Sequence, residues 1–116
     1  MKIIDDIKWR LHLKKINKAK ANFIKRWYKA LVNGERITNA YFKSVKAKKD
    51  DNFDADIEFT KLCDKAYDGC TENKFAIQYV KNEKYVKYLE QEYMKIFNCD
   101  YAEFSTDYRD WCFHKL

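Results

Sequence analysis

The sequence predicts an all-α fold, a single domain of five or six helices with at most a minor short strand or hairpin. Three observations lead there. The chain has no Pro and only two Gly in 116 residues, so it has few breakers and favours long helices. Its apolar residues recur at helical spacing over most of its length. Aromatics make up 17%, with nine Tyr and eight Phe, which a disordered chain would not carry. A chain of this length holds one core, so residues 1–116 are read as one domain. Its basic part is 1–49 and its acidic, aromatic-rich part 50–116.

The stretch Leu13–Val32 sets the pattern. Wound at 100° per residue, Ile16, Ala19, Phe23, Ile24, Trp27, Ala30 and Leu31 fall on one arc. Lys14, Lys15, Lys18, Lys25, Arg26 and Lys29 fall opposite, and only Lys20 lies among the apolar positions. Before it, residues 3–12 read two ways. Ile7, Trp9, Leu11 and Leu13 alternate like a strand. As a helix starting near Asp5-Asp6, the same stretch puts acids at the helix N-terminus, Trp9 and Leu13 on the apolar arc, and Ile7 and Leu11 on the basic face.

Asn33-Gly34 is read as the C-cap of this helix. A second helix is expected from about Glu35 to Lys49, with Ile37, Ala40, Tyr41 and Val45 inward. The junction of Lys46-Ala47-Lys48-Lys49 with Asp50-Asp51 is the expected loop, since both charge runs suit the helix dipoles. A third helix fits Asp54–Asp68, with Ala55, Phe59, Leu62, Cys63, Ala66 and Tyr67 on one face, Ile57 off it and Gly69 at its end. Thr71 is positioned to cap a short helix through Val80, although Phe75, Ile77 and Tyr79 also alternate. Asn82 is read as the cap of Glu83–Phe97, with Asn98 closing it, and a last short helix as starting near Asp107. Phe23, Trp27, Leu31, Leu62, Leu89 and Ile96 are expected in one core.

Several chemistries find no footing. Two glycines cannot build a phosphate-cradling loop or a dinucleotide fingerprint. There is no nucleophile-elbow serine, and the two histidines, His12 and His114, are far apart in sequence. The four cysteines, Cys63, Cys70, Cys99 and Cys112, lack the close pairing of structural zinc sites. Cys112-Phe113-His114 is the one close Cys/His pair. The expectation is a non-enzymatic protein with no cofactor or metal and reduced thiols, Cys63 among them as a small core residue. No signal-peptide pattern follows the first residues, and the uncharged run Phe75–Val80 is too short to cross a bilayer. A cytoplasmic location is expected, with no membrane partner.

The net charge of +6 divides unevenly, +12 over residues 1–49 and −6 over 50–116. Such a split points to a charged partner, unless the halves neutralise each other. Lys14, Lys18, Lys25 and Lys29 share a narrow arc along roughly 22 Å of helix, a length that can follow a phosphate backbone. Lysine acts as a point charge, so base-specific reading is not expected of it. Basic and aromatic residues interleave at Lys8-Trp9-Arg10 and Lys25-Arg26-Trp27-Tyr28-Lys29, as in single-strand binders. Trp27, central on the apolar arc, is assigned to the core, while Tyr28 lies on the flank.

The candidate binding residues are therefore Lys14, Lys15, Lys18, Lys25, Arg26 and Lys29, and the expected partner is nucleic acid or a nucleic-acid-handling complex. The alternative is an inhibitor or adaptor docking on an acidic protein surface, for example one that blocks a host nuclease complex. Abundant Lys, Asn, Tyr, Phe and Ile suggest an AT-rich genome and would suit a phage or mobile-element accessory protein.

Overall fold

The computed structural model describes residues 2–46 and 52–116. Among them are four helices and no strand: α1 Lys2–Ser44, α2 Asn52–Tyr67, α3 Lys74–Ile96 and α4 Tyr101–Cys112. The all-α class stands, and the count of five or six helices is corrected to four. Residues 3–12 belong to α1, which resolves that stretch as helix. The expected loop at residues 46–51 falls largely outside the described residues, 47–51.

Two mergers account for the lower count. Asn33-Gly34 does not end α1. Gly34 is buried and stays in the right-handed helical region, with space for little else: a Cβ there would meet Asn82 Nδ2 at 3.1 Å and Tyr79 at 3.7 Å. Asn33 Nδ2 donates to Asn82 Oδ1 at 3.0 Å, and Asn82 Nδ2 donates to the Ala30 carbonyl at 2.9 Å. The pair that reads locally as a stop serves close helix packing instead. For the same reason Asn82 is not a cap. It lies inside α3, which joins the two segments expected at 71–80 and 83–97. The cap of α3 is Asn73 rather than Thr71: its Oδ1 accepts from the Phe75 and Ala76 amides, both at 3.1 Å. α4 starts at Tyr101, not near Asp107, because Asp100 Oδ1 takes the Glu103 amide at 2.8 Å as its N-cap.

The helices end by one device. Lys46, Gly69, Asn98 and His114 all have positive φ. After α2, α3 and α4 the next amide reaches back five residues, Cys70 to Lys65, Cys99 to Met94 and Lys115 to Asp110, at 2.8–3.0 Å. This satisfies carbonyls that a helix terminus leaves open.

The tertiary contacts gather into two units, Met1–Tyr28 with Leu89–Leu116, and Lys29–Tyr88. The first buries Phe23, Ile24, Trp27, Leu89, Tyr93 and Phe104. Its rings meet edge to face, Phe23 with Tyr93 at 5.6 Å, Trp27 with Phe104 at 5.0 Å and Tyr93 with Phe104 at 4.9 Å, the arrangement that ring quadrupoles favour. The second centres on Tyr41, Phe59, Cys63, Ala76 and Val80, with Ile37 and Leu62 packed against them. Of the expected core, Leu31 and Ile96 are exposed, as are Ala40 and Val45, and Leu62 joins the second cluster. Periodicity assigns these residues an inward arc but cannot say where along a helix a neighbour is present to cover it.

Candidate functional site

In the first unit, the inward arc of α1 carries Phe23, Ile24 and Trp27, so the opposite arc is left to water. Lys14, Lys15, Lys18, Lys25 and Arg26 are all exposed there. Among the described residues none of them is ion-paired. The Arg26 guanidinium lies over the Phe23 ring at 5.0 Å, a cation–π contact at the edge of the core. Lys29 is exposed too, but it is the first residue of the second unit. The structure thus groups five of the six candidate cations on one face of one unit.

The exception on the apolar arc finds a specific partner. Lys20 Nζ lies 3.2 Å from Asp107 Oδ2 and 5.7 Å from the Phe97 ring centre. The buried Tyr93 hydroxyl donates to the same Asp107 oxygen at 2.7 Å. Burial, then this bond to a carboxylate, pushes the Tyr93 phenol well above its ordinary range. Lys20 is thereby spent inside the fold, unlike the cations across the helix.

Trp27 is buried, its indole donating to Glu90 Oε1 at 3.2 Å and its ring packed on Phe104 and on Tyr108 at 4.9 Å. It is not available for stacking. Tyr28 is exposed on the helix flank and touches Tyr108 at 6.5 Å and Trp111 at 5.5 Å between centres. Tyr108 and Trp111 lie within 24° of parallel. Beside them a hollow of about 260 Å³ is lined by Ala21, Trp111, Cys112, His114 and Leu116. Sequence reasoning did not assign this end of α4 to the site. The signal was present in the spacing of Phe104, Tyr108 and Trp111, which gives α4 a ring-bearing stripe.

At the start of α1 every residue from 4 to 15 is exposed. Ile4, Ile7 and Leu11 lie on the lysine-bearing arc, and Trp9 stands near His12 at 6.0 Å.

All four cysteines are free; Cys63 is buried, and Cys70 and Cys112 are exposed. Among the described residues no group of three or more His, Cys, Asp or Glu side chains is placed to hold a metal ion. No helix there is long and apolar enough to cross a membrane. Comparison with family models, with curated proteins and with solved structures gave no match.

Proposed function

We propose that this is a non-enzymatic binding protein that engages nucleic acid, alone or within a nucleoprotein complex, through the cationic face of α1. The observation that carries the reading is the contrast between the two arcs of one helix. Lys20, on the inward arc, is neutralised by Asp107. Lys14, Lys15, Lys18, Lys25 and Arg26, on the outward arc, stand in water without carboxylate partners among the described residues. Lysines free to neutralise phosphates release the cations condensed on the nucleic acid, which drives association.

The test is fluorescence anisotropy with labelled oligonucleotides over a salt series. Binding should weaken linearly in log–log form, with a slope of about −0.9 per contacted phosphate on duplex or about −0.7 on single strands. The variant K14E/K18E/K25E should remain folded, since all three side chains are exposed, and should lose binding. A folded triple variant that binds as the parent does refutes the reading.

A second reading, an inhibitor or adaptor on an acidic protein surface, is favoured by Ile4, Ile7 and Leu11. These exposed side chains continue the cationic face with apolar surface, which a phosphate backbone does not need and a protein groove does. Capture of a partner from lysate that survives nuclease treatment, and is lost in I7E/L11E, would favour it over the first.

A further inference from the structure

We infer that the hollow at the C-terminal end of α4 takes an unpaired nucleobase, so that the polyanion held by the lysine row is single-stranded nucleic acid rather than duplex. This rests on the nucleic-acid reading above and specifies it.

Three observations converge on one place in the first unit. The hollow, about 260 Å³, is lined by Trp111, His114, Ala21, Cys112 and Leu116. Its lining side chains are the rings of Trp111 and His114, the Cys112 thiol and the aliphatic groups of Ala21 and Leu116, with no carboxylate side chain, which suits a flat, uncharged base. Trp111 is half-buried and backed by Tyr108, with Tyr28 against its side. A ring held by two others has already lost its rotational freedom, so a base stacking on it orders little else. His114 reaches the hollow because the chain turns through a positive φ there, with its amide bonded to the Trp111 carbonyl at 3.1 Å and the next to Asp110.

The third observation is position. Ala21, which lines the hollow, is three residues after Lys18 and four before Lys25. On a helix both are its direct neighbours. The hollow therefore opens beside the lysine row, and Tyr28, three residues past Lys25, flanks it on the ring side. A strand with its phosphates along Lys14, Lys18 and Lys25, a run of roughly 16 Å, can turn one base toward Trp111. Duplex DNA keeps its bases stacked and paired, and extruding one carries an energetic cost that a single strand avoids. Cationic track plus aromatic ring is the general composition of single-strand sites, and stacking there tolerates any base.

The experiment measures binding of a labelled twelve-nucleotide single strand, as DNA and as RNA of the same sequence, and of the matching DNA duplex. The parent protein should bind at least one single strand more tightly than the duplex; the two single-strand arms show which sugar it accepts. Trp111→Ala should weaken single-strand binding by roughly 5- to 150-fold, the range found for loss of one stacked base, and leave duplex binding unchanged. Trp111→Phe should restore most of the loss. Because Trp111→Ala also removes packing for Tyr28 and Tyr108, a second variant keeps every ring: Ala21→Phe fills the hollow and should weaken single-strand binding more than 5-fold. Equal affinity of the parent for strand and duplex, or undiminished single-strand binding by A21F, overturns the inference and leaves the lysine-row reading intact. Failure of the parent to bind any of the three at low salt overturns both.

Discussion

Asp107→Ala would strand a buried hydroxyl. Tyr93 is wholly buried and its hydroxyl has Asp107 as acceptor at 2.7 Å. Among the described residues no buried side-chain polar atom lacks a partner, so this variant would create the first. An orphaned buried donor costs about 1–3 kcal/mol. Lys20 would lose its carboxylate as well, but both members of that pair keep some contact with water, at 21% and 16% exposure, so this adds only about 0–1 kcal/mol. The expected total is about 1–4 kcal/mol. Tyr93→Phe removes the donor along with the bond and should cost less, about 1–2 kcal/mol, because Asp107 keeps Lys20 and solvent. Lys20→Met keeps an unbranched apolar stem, removes the ammonium from Asp107 and from the Phe97 ring, and should cost no more than about 1 kcal/mol. The decisive quantity is the double variant Y93F/D107A. With no hydroxyl to strand, removing Asp107 from Y93F should cost about 1 kcal/mol or less, so the two changes should be coupled by the orphaning term, about 1–3 kcal/mol. Urea unfolding monitored by circular dichroism gives all four values. Additive costs within about 0.5 kcal/mol, or D107A no worse than K20M, would refute this account of the contact.

Trp27→Ala should lower stability by about 3–5 kcal/mol by emptying the space against Phe104 and Tyr108, read from a thermal melt. Gly69→Ala should cost about 1 kcal/mol from backbone alone, since φ is +70° and nothing lies within 4 Å of the added Cβ. At Gly34 the same change gains about 1 kcal/mol of helix propensity. It also presses its Cβ to 3.1 Å from an amide bonded at both ends, so it should give no net stabilisation. Alkaline titration should destabilise the fold. Burial and the nearby Glu83 push the Cys63 thiol up to about 11, and the Glu83 hydrogen bond with burial pushes Tyr67 up to about 12. The folded state thus holds protons that the unfolded state releases from about pH 9 for the thiol and 10 for the phenol. Stability is full below those values and is lost as pH rises through the raised ones. Unfolding midpoints at pH 8, 9.5 and 11 should therefore fall in that order, and Cys63→Ala should lessen the drop between 9 and 11.

The lysine face was legible because amphipathicity is a property of one helix: exposure of Lys14, Lys18 and Lys25 follows from burial of Phe23, Ile24 and Trp27 at fixed angular offsets. The role of Trp27 against that of Tyr28 was legible for the same reason. Lys20 was visible only as an exception, because its explanation, Asp107, lies on another helix. Asn33-Gly34 misled because the side chain that makes it a contact, Asn82, is far along the chain. The start of α4 was a different kind of omission. Asp100 followed by Glu103 is a local cap signal, but the aromatic run drew the boundary toward Asp107. The hollow at Trp111 and His114 required knowing that the end of α4 reaches Ala21, which no periodicity contains.

The Asn82 bridge has a consequence for how α1 opens. The Ala30 carbonyl accepts the Asn82 amide besides closing a helical turn, and the Gly34 carbonyl likewise takes the Thr38 hydroxyl at 3.1 Å. Around Asn33-Gly34 the helix has poor intrinsic propensity, so its continuity there is supplied from outside. Amide hydrogen exchange near residues 33–38 should then report the attachment of α3 rather than local helix strength. Cutting that one side chain back, as Asn82→Ala, should turn a protected mid-helix turn into the first place where α1 exchanges with solvent.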